Sequence, residues 1–508
     1  MNAIFTAEEM RAYEGYLMET LGIPSLLLME RAAGYVCEAV RQCCTEEQSG
    51  IVVFAGCGNN GADGLAAARM LKETAGIDLR IVVVGNRSHA SDSWKVQAGI
   101  LEKMGIPFST DVTEALGRRT DVIVDAIFGI GLNREIREEA HKAVEQINAY
   151  RNSHPECRVI SVDVPSGLHT DKGIPMPQAV YADVTVTFGA YKRGLFINEG
   201  RRYSGKVSLK PIGIPDSSAP ARQIRMEWPG ISGFYPKRDP LGHKGTFGKV
   251  LCIAGCADMA GASILNARSV LRAGAGMVKV IGVSKNRDLL LQTVPEAMFS
   301  AIDTMDAVGE DMLNAATHWA DTVLLGSGLG KERADMFLKS SALRNCEKTL
   351  VIDADGLNAL ADNMEFLKKR KDKGRITYLT PHPGEYARLF PNEEDRKLQD
   401  PDRTAQLAKE YGVILLAKSA TTLVTNGDKV YYNTLGSDAL ATAGSGDVLA
   451  GLLAAVSCVI PDPLKAAVYA DALHAMAGQM AAAKQGSAGV TASDLILYLA
   501  GAAGKLKF

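Results

Sequence analysis

The sequence predicts an α/β protein built from two tandem three-layer α/β/α domains. Its 508 residues exceed the ~100–200 that one domain usually holds. Short apolar runs of strand length alternate with helix-like stretches in both halves, which is typical of parallel sheets covered by helices on both faces. Between residues 211 and 240 the alternation stops, and six prolines stand in a segment of little periodicity. We therefore expect a linker near residues 217–225, with one domain over residues 1–217 and another over 225–508.

Composition narrows the class of protein. Lys plus Arg number 56 and Asp plus Glu 58, so the net charge is −2 and the basic surface of a nucleic-acid-binding protein is not expected. The first residues lack the apolar core of a signal peptide, and the longest apolar run, Val448–Ile460, is shorter than the ~20 residues of a membrane span and predicts a buried helix. The nine cysteines form no CxxC pair, which favours reduced thiols over disulfides or zinc. We expect a cytoplasmic enzyme that binds neither nucleic acid nor membrane.

The first half predicts five strands, separated by helices such as Asp63–Glu73 and Arg134–Tyr150. Two of these strands end in an aspartate followed by a turn. Ligands of open parallel sheets bind just beyond the carboxyl ends of the strands, so these turns are candidate site loops. The predicted strands are Ile51–Phe54, Leu79–Val84, Val122–Asp125, Val159–Val164 and Val184–Phe188.

The second half predicts seven strands, with helices such as Gly261–Ala273 and Ala405–Tyr411 between them. The last strand enters a hairpin, Thr422–Tyr432, that turns at Asn426-Gly427. Beyond it, residues 447–483 predict an almost wholly helical segment. The predicted strands are Val250–Ala254, Val278–Ile281, Thr322–Leu325, Thr349–Ile352, Thr377–Leu379, Val413–Ala417 and Thr422–Thr425.

A glycine-rich turn, Gly56–Gly64, follows the first strand and opens a helix. Its glycines let backbone N–H groups approach an anion at the helix N-terminus. The GxGxxG spacing alone is a weak signal, because many such turns only connect two elements. The amides of Asn59 and Asn60 and the carboxylate of Asp63 are polar groups that a plain turn does not need, so we expect a ligand here.

Two further strand-end loops begin at Asp125 and Asp163. We expect Asn60, Asp125 and Ser166 to converge on one edge of the sheet, where their oxygen atoms suit a hard cation rather than zinc. The alternative is that the acids only cap the helices that follow them. Three such loops in one domain favour a binding site.

Seven motifs in roughly the first 215 residues resemble the YjeF N-terminal family. In chain order they are TAEEMR, GIP, LMERAAG, NNGADGL, DAIFGIG, VDVPSGL and GAYK. The resemblance implies an NAD(P)H-hydrate epimerase of Rossmann-like fold that binds potassium through Asn60, Asp125 and Ser166. We take Asp163 as its acid–base residue and Lys192 as a helper.

The same resemblance implies which residues contact the hydrated nucleotide. One departure is Ala62, where the family usually has glycine, and we expect its methyl group to narrow the approach of a phosphate only slightly. The implied contacts are Asn59, Asn60, Gly61, Ala62, Asp63, Gly129, Ile130, Gly131, Leu132, Asn133, Arg134, Glu135 and Asp163.

The segment Ala443–Gly451, AGSGDVLAG, carries the strongest single signal of the second half. Its glycines free the backbone to wrap a phosphate, and the helix that follows directs an N-terminus worth about half a positive charge at that anion. A carboxylate is poorly matched to a phosphate, so we expect Asp447 to act as a base on a substrate hydroxyl. A capped helix after a glycine turn is the simpler alternative, but it does not account for the aspartate.

With this segment, the motifs GHKGTFGKV, GSGLG, DADGLN and TPHPGE resemble the YjeF C-terminal family of the ribokinase-like superfamily, over about residues 225–508. The resemblance implies an NAD(P)H-hydrate dehydratase that uses ADP or ATP with magnesium. One departure is Ser419, where the family usually has glycine. Ala262, Gly328, His382 and Asp447 are implied to meet the hydrated nicotinamide nucleotide, and Lys418, Ser419, Ala420, Thr421, Thr422 and Gly446 the adenine nucleotide.

Together the two resemblances imply metabolite repair of NADHX and NADPHX, the hydrated forms of NADH and NADPH. The R and S hydrates would be epimerised, and the S hydrate dehydrated at the expense of ADP, giving AMP and phosphate. Two alternatives stay open at this point: a ribokinase-like vitamin kinase fused to a nucleotide-binding module, and a non-catalytic binding role for residues 1–215. The Ala/Gly-rich segment Leu449–Val456 suggests close packing between subunits, and we expect a homo-oligomer.

Overall fold

The computed structural model describes residues 2–44, 49–73, 76–136, 138–212, 221–391 and 399–505. The chain divides into two compact units, one up to Ala221 and one from Arg222 onward. Residues 217–220 of the predicted linker lie outside the described residues.

The first unit is built on a parallel sheet. Its strands are β1 (Ile4–Phe5), β2 (Ser49–Gly56), β3 (Ile77–Val84), β4 (Phe108–Ser109), β5 (Val122–Ala126), β6 (Arg158–Val162), β7 (Val184–Phe188), β8 (Tyr191–Lys192) and β9 (Lys206–Lys210). Its α-helices are α1 (Ala7–Gly15), α2 (Ser25–Cys43), α3 (Asn59–Lys72), α4 (Asp92–Lys103), α5 (Val112–Leu116), α6 (Glu138–Ser153) and α7 (Gly200–Ser204).

Seven of these strands form one sheet in the order β4-β3-β2-β5-β6-β7-β9, with every neighbouring pair parallel. Strand β2 is buried along its whole length, as expected of a strand covered on both faces. From β2 the chain first adds β3 and β4 on one side, and it then crosses to β5 on the other. The carboxyl ends of β2 and β5 therefore flank the crevice where such sheets bind ligands.

The second unit contains a larger sheet. Its strands are β10 (Gln223–Arg225), β11 (Lys249–Ile253), β12 (Met277–Gly282), β13 (Met298–Ala301), β14 (Thr322–Leu325), β15 (Thr349–Ile352), β16 (Thr377–Leu379), β17 (Ile414–Ala417), β18 (Thr422–Thr425) and β19 (Val430–Asn433). Its α-helices are α8 (Trp228–Ile231), α9 (Ala260–Arg272), α10 (Arg287–Thr293), α11 (Ala307–Trp319), α12 (Lys331–Lys339), α13 (Ser341–Asn345), α14 (Asp355–Leu360), α15 (Glu365–Asp372), α16 (Pro383–Leu389), α17 (Pro401–Tyr411), α18 (Ser445–Val456), α19 (Pro463–Gln485) and α20 (Ala492–Lys505).

The ten strands are ordered β10-β19-β18-β17-β16-β15-β14-β11-β12-β13. Only the β17–β18 and β18–β19 pairs are antiparallel, and the second of them is the predicted hairpin. The order reverses between β11 and β14, so the loops after β11, β14, β15 and β16 gather at one edge of the sheet. Helix α18 packs on this sheet against α9, and its residues Val448–Val456 are buried.

Every predicted strand coincides with an observed one, and the predicted α/β fold class is confirmed. Two expectations were wrong in detail. The helical segment 447–483 is two helices, because Pro461 follows the first and Asp462 caps the second by accepting hydrogen bonds from the N–H groups of Leu464 and Lys465. Segment Leu449–Val456 lies inside the core of the second unit, so it offers no face to another subunit. Across the described ranges, none of the helices combines the length and hydropathy that crossing a membrane requires.

Candidate active sites

A cavity of about 860 Å³ opens at the carboxyl edge of the first unit's sheet. Its lining comes mainly from helix α1 and from the segments that follow β2, β3, β5 and β6. Ten predicted contact residues line it, namely Asn59, Asn60, Asp63, Gly129, Ile130, Gly131, Leu132, Asn133, Arg134 and Asp163. It is also lined by residues that the sequence did not single out, among them Arg11, Glu14, Asn86, His89 and Ser91.

The turn from β2 into α3 requires glycine because backbone segments meet there. A Cβ atom at Gly61 would lie 1.7 Å from the carbonyl oxygen of Gly56, and one at Gly64 would lie 2.5 Å from the Cβ of Ala126. Ala62 is fully buried, and its N–H donates to the carbonyl of Gly58. Its methyl group therefore packs in the core, so the expected narrowing of the phosphate approach is wrong.

Of the three predicted potassium ligands, the structure joins Asp125 and Ser166 directly. Asp125 is fully buried, and its Oδ2 accepts hydrogen bonds of 2.8 Å from the Oγ of Ser161 and the N–H of Ser166. Burial raises the pKa of Asp125, and these hydrogen bonds partly offset the rise. The Oγ of Ser166 is engaged with the backbone of Phe128, while the Nδ2 of Asn60 is buried without a hydrogen-bond partner among the described residues.

Asp163 and Lys192 form a close ion pair. The Nζ of Lys192 lies 2.5 Å from the Oδ1 of Asp163 and donates to the carbonyl of Phe188 at 2.8 Å, and its side chain is only 1% exposed. Thr187 donates a second hydrogen bond to the same carboxylate oxygen. Asp163 adopts a left-handed backbone conformation with φ of 67°, which turns the residue out of the end of β6. The structure thus brings together Asp163, the predicted acid–base residue, and Lys192, its predicted helper.

Two more carboxyl groups face this pair. Burial, followed by the charges of Asp163 and Glu14, raises the pKa of Asp63 well above its usual value. Burial and the charge of Asp163 likewise raise the pKa of Glu14, with Lys192 and Arg11 acting in the opposite direction. Three carboxyl groups around one ammonium group therefore favour retention of a proton within the cluster.

Glu14 reaches this site through the pairing of β1 with β8. Ile4 pairs with Tyr191 and Phe5 with Lys192, which fixes the start of the chain beside the lysine. Sequence reasoning missed Glu14 because it lies in a helix far from any of the strands that the sequence predicts. The one available signal was the TAEEMR motif that opens the same helix.

In the second unit, Asp447 stands in the first turn of α18, directly after the left-handed Gly444. The side chain of Asn266 donates to the carbonyl of Asp447 at 2.8 Å and to the Oγ of Ser327 at 3.2 Å. These bonds tie the turn of α18 to helix α9 and to the loop after β14. The base predicted from AGSGDVLAG is therefore positioned where three site loops meet.

Lys418 faces the same turn. Its Nζ lies 3.1 Å from the Oδ1 of Asp353, which also accepts a 2.7 Å hydrogen bond from the Oγ1 of Thr380. A Cβ atom at Gly446 would lie 3.4 Å from that Nζ, so glycine leaves room for the ammonium group. The ammonium group of Lys418 therefore lies beside the N-terminus of α18. A cation and a helix N-terminus at one place are suited to binding a phosphate.

The charges of this site set the protonation of the base. Burial, followed by the charge of Asp353, raises the pKa of Asp447 to about 7, while Ser327 and Lys418 act to lower it. Burial alone would lower the pKa of Lys418, but the carboxylates of Asp353, Glu385 and Asp447 outweigh that effect and raise it. Lys418 therefore stays charged at neutral pH, whereas Asp447 exchanges its proton there.

His382 is the N-cap of helix α16. Its Nδ1 accepts hydrogen bonds from the N–H groups of Gly384 and Glu385, and the Glu385 side chain accepts one from the N–H of His382. Burial, together with Lys418 and Arg388, lowers the pKa of His382, so the ring is neutral at pH 7. Its Nε2 lies 3.3 Å from the Oε1 of Glu385, and the side chain is 52% exposed, so a ligand can still reach the ring. The structural role and the predicted contact are therefore compatible.

The other predicted residues of this unit lie in neighbouring loops. Gly328, with φ of 59°, stands against Ala262: a Cβ atom there would lie 2.6 Å from the alanine Cβ. Ser419 is held in the turn between β17 and β18, where its Oγ donates to Thr421 and to Gln399. Asp353 and Glu385 were present in the DADGLN and TPHPGE motifs, but their roles depend on their distance from Lys418, which the sequence does not give.

Folds and sites together define a two-domain α/β enzyme with a glycine-rich turn and a lysine–carboxylate ion pair at the sheet edge of each domain. A family model described as NAD(P)H-hydrate dehydratase matches residues 250–500, and one described as YjeF-related protein N-terminus matches residues 25–194. The bifunctional NAD(P)H-hydrate repair enzyme Nnr of Moorella thermoacetica is 32% identical, over 98% of this chain and 96% of its own. The enzyme of the same name from Thermofilum pendens is 32% identical, over 97% and 94%. The chain belongs to the family of bifunctional NAD(P)H-hydrate repair enzymes, and the predicted resemblance is confirmed.

Among solved structures, one resembling chain is the ADP/ATP-dependent NAD(P)H-hydrate dehydratase of Bacillus subtilis, co-crystallised with ATP and Mg²⁺. It is 24% identical, covers 54% of this chain and 96% of its own, and gives a TM-score of 0.46. A likeness of this strength supports no inference about the site.

Proposed function

We propose that the chain repairs hydrated NADH and NADPH in two consecutive steps. The first unit interconverts the R and S hydrates, and the second dehydrates the S hydrate at the expense of ADP, giving NAD(P)H, AMP and phosphate. The observation that carries the proposal is Asp447, a carboxyl group with a pKa of about 7 at a helix N-terminus that faces Lys418. A base and an anion site at one place suit phosphoryl transfer to a hydroxyl group.

In the second unit, Asp447 takes the proton of the hydroxyl group at C6 of the hydrated ring. The hydroxyl oxygen then forms a bond to the terminal phosphorus of ADP, and the bond from that phosphorus to the bridging oxygen breaks, releasing AMP. The new phosphate ester leaves C6 with its bonding electrons while C5 loses a proton. This restores the ring double bond and releases phosphate, a better leaving group than hydroxide.

The terminal phosphate is held by the N–H groups at the start of α18 and by the ammonium group of Lys418. Asp353 fixes that ammonium group by the 3.1 Å ion pair. Magnesium ordinarily reaches such sites bound to the phosphates themselves and supplies neutralising positive charge. The carboxylate oxygens of Asp353 suit that ion, and we assign it to this unit.

In the first unit, Asp163 is the proposed acid–base residue, and the buried Lys192 holds its carboxylate in place. The glycine-rich turn and the Gly129–Glu135 loop would hold the nucleotide in the 860 Å³ cavity. Support comes from the ten predicted contact residues that line this cavity. Gly61 and Ala62 contribute through the shape of the turn, because both are buried.

Potassium is the proposed ion of this unit. The chemistry of the donor set fits it: Asp125 is a buried carboxylate with no basic partner among the described residues, and Asn60 and Ser166 bring an amide and a hydroxyl oxygen, which are donor types that a hard cation takes. Bound potassium would supply positive charge, with Asn60, Asp125 and Ser166 holding it. Replacing potassium by sodium is expected to slow hydrate interconversion in the wild type but not in an Asp125→Asn variant. Equal rates in both salts for the wild type would remove the assignment.

We also place the chain in the cytoplasm as a homo-oligomer. Support for the compartment comes from its nine cysteines, all of which are free thiols. The oligomeric state stays a prediction, because the buried position of Leu449–Val456 removes the segment on which it was based.

One assay tests the whole proposal: purified protein is incubated with mixed R and S NADHX, and NADH absorbance is followed with ADP, with ATP and with neither. We expect complete conversion with ADP, accompanied by AMP and phosphate, and none without nucleotide. A phosphorylated product that persists would instead indicate a small-molecule kinase, and conversion of only the S share would refute the epimerase step.

A further inference from the structure

Inversion at C6 requires two proton transfers, and Asp163 accounts for only one of them. C6 bears both the hydroxyl group and the ring nitrogen, so the hydroxyl can leave as water while the nitrogen lone pair forms a double bond to C6. A water molecule then adds from the opposite face. One protein group must give a proton to the departing oxygen, and another must take one from the incoming water.

We propose that Glu14 is a second catalytic residue of the epimerase, working with Asp163. The Glu14 carboxyl group protonates the C6 hydroxyl, the C6–O bond breaks, and water departs. Water then adds to the other face of C6 and loses its proton to Asp163. For the opposite hydrate the roles reverse, and solvent exchange restores the two groups. The inference rests on the proposed epimerase function and adds a residue to it.

Glu14 is held firmly at the cavity by the helix that carries it. Helix α1 begins with a capping box in which Thr6 and Glu9 exchange hydrogen bonds, and the N–H of Ala7 donates to Asp171 at 2.7 Å. Arg11 donates to the carbonyl of Ile130 at 3.2 Å, across the loop implied to bind the substrate. Directly after α1, the backbone widens into a π-helix over Tyr16–Thr20, a distortion frequent at functional sites.

The Glu14 carboxyl group is available for a ligand. Among the described residues, no hydrogen bond is made to the side chain of Glu14 or of Asp63, although both line the cavity. The carboxylate of Asp163, in contrast, accepts from Lys192 and Thr187. The two proposed groups also come from different elements, because Asp163 follows β6 and Glu14 lies on α1.

Burial and the neighbouring carboxylate make Glu14 a weaker acid than a free glutamate by raising its pKa, beside an ion-paired Asp163. Facing groups are Asp63 on α3, Asp163 after β6, Lys192 on β8 and Arg11 on the same helix as Glu14. Burial and Asp163 raise the pKa of Glu14, while Lys192 and Arg11 oppose the rise. A neutral carboxyl group is the form that donates a proton to a leaving hydroxyl.

The test compares full-length Glu14→Gln with the wild type and with Glu8→Gln, which removes an exposed carboxylate from the same helix. Interconversion of purified S-NADHX to the R hydrate is followed by chromatography across pH without ADP or ATP, and the protein-free rate is subtracted. We expect Glu14→Gln to lower the rate about 100-fold or more, the usual contribution of one acid–base group. It should also abolish the fall in rate that the wild type shows as pH rises through the pKa of Glu14. Glu14→Asp should restore part of both, and Glu8→Gln should match the wild type.

The outcomes separate this inference from the function on which it rests. Dehydration of S-NADHX with ADP reports the second unit, and it should be the same in all variants. A Glu14→Gln chain with the wild-type rate and pH profile would overturn the inference. A Glu14→Gln chain that is slower but has an unchanged pH profile would also overturn it, because that result indicates a structural role. A third contrary result is that Asp63→Asn, and not Glu14→Gln, abolishes the fall in rate at high pH. A wild-type chain that does not interconvert the hydrates would refute the epimerase proposal itself.

Discussion

Lys418 is surrounded by three carboxyl groups, those of Asp353, Glu385 and Asp447, and this imbalance decides the chemistry of the second unit. Asp353 is fixed by its ion pair with Lys418 and its hydrogen bond from Thr380. Burial, followed by repulsion from the charge of Asp353, raises the pKa of Asp447 to about 7. A base of this pKa combines a useful ionised fraction at neutral pH with a strong drive to take up a proton.

Replacing Asp447 by Asn should lower NADH formation from S-NADHX and ADP by about 100-fold to 10,000-fold, the range found for acid–base residues. In the wild type the rate should rise with pH through about 7, because the base acts when ionised. This rise should be absent from any residual activity of the variant. Steady-state rates over pH, with ADP binding measured separately, provide the test. Full activity in Asp447→Asn would contradict the assigned role, and an Asp311→Asn chain serves as an exposed control.

Residues show most clearly what sequence alone can and cannot provide. Asp447, Asp163 and Lys418 are predictable because each follows a predicted strand or opens a predicted helix. Glu14 is not, since its helix reaches the site only through the pairing of Ile4–Phe5 with Tyr191–Lys192, nearly the full length of the unit away in sequence. Its carboxyl group carries no local pattern that distinguishes it from neighbouring surface acids.

At the scale of elements, the turn from β2 into α3 is shaped by contacts between backbone segments. In Gly61→Ala, a Cβ atom in its ideal position would lie only 1.7 Å from the carbonyl oxygen of Gly56, which is a steric clash. Gly58 lies three residues earlier, and a Cβ atom there meets nothing within 4 Å. The two glycines therefore form a matched pair within one loop.

Gly61→Ala should destabilise the first unit by about 1–3 kcal/mol, the usual cost of overpacking, and should slow hydrate interconversion. Gly58→Ala should leave stability nearly unchanged. Urea denaturation, read by probes of the first unit, measures both. Equal midpoints for the two variants would show that the turn relaxes around the added methyl group.

The His382 cap of α16 allows its structural and binding roles to be separated. His382→Asn retains a good N-cap, so the melting temperature should stay close to that of the wild type, whereas His382→Ala should cost about 1 kcal/mol. If the ring also donates to the hydrated nucleotide, His382→Asn should raise KM for NADHX about tenfold, the effect of losing one hydrogen bond worth about 1.4 kcal/mol. An unchanged KM would assign His382 to capping alone.

Elements also differ in how far they can be predicted. The central strands are continuous apolar runs such as Ile51–Phe54, and all were found. The strands missed, which are β1, β4, β8, β9, β10 and β13, are two to five residues long and lie at edges or in the small sheet, where burial imposes little pattern. Helices α18 and α19 both lie in the segment predicted to be almost wholly helical. The sequence did not locate the break between them, because the composition is Ala-rich on both sides of Pro461.

At the scale of the whole molecule, the chain joins two units that each carry the groups proposed for one reaction. The first holds three carboxyl groups and a buried lysine at a cavity. The second holds a base beside a cation and a helix N-terminus. Because water adds to the nicotinamide ring from either face, a dehydratase specific for one hydrate leaves the other behind. The pairing of the two units in one chain removes that loss.

The most direct test of two consecutive repair steps starts from pure R-NADHX with ADP, with NADH formation as the readout. The wild type should convert all of it, and a mixture of Asp163→Asn and Asp447→Asn chains should do so too, because each supplies the step that the other lacks. Asp163→Asn alone should form NADH only at the rate of spontaneous epimerisation, while still converting S-NADHX at the wild-type rate. Wild-type protein that converts S-NADHX but leaves R-NADHX at its spontaneous rate would contradict the account.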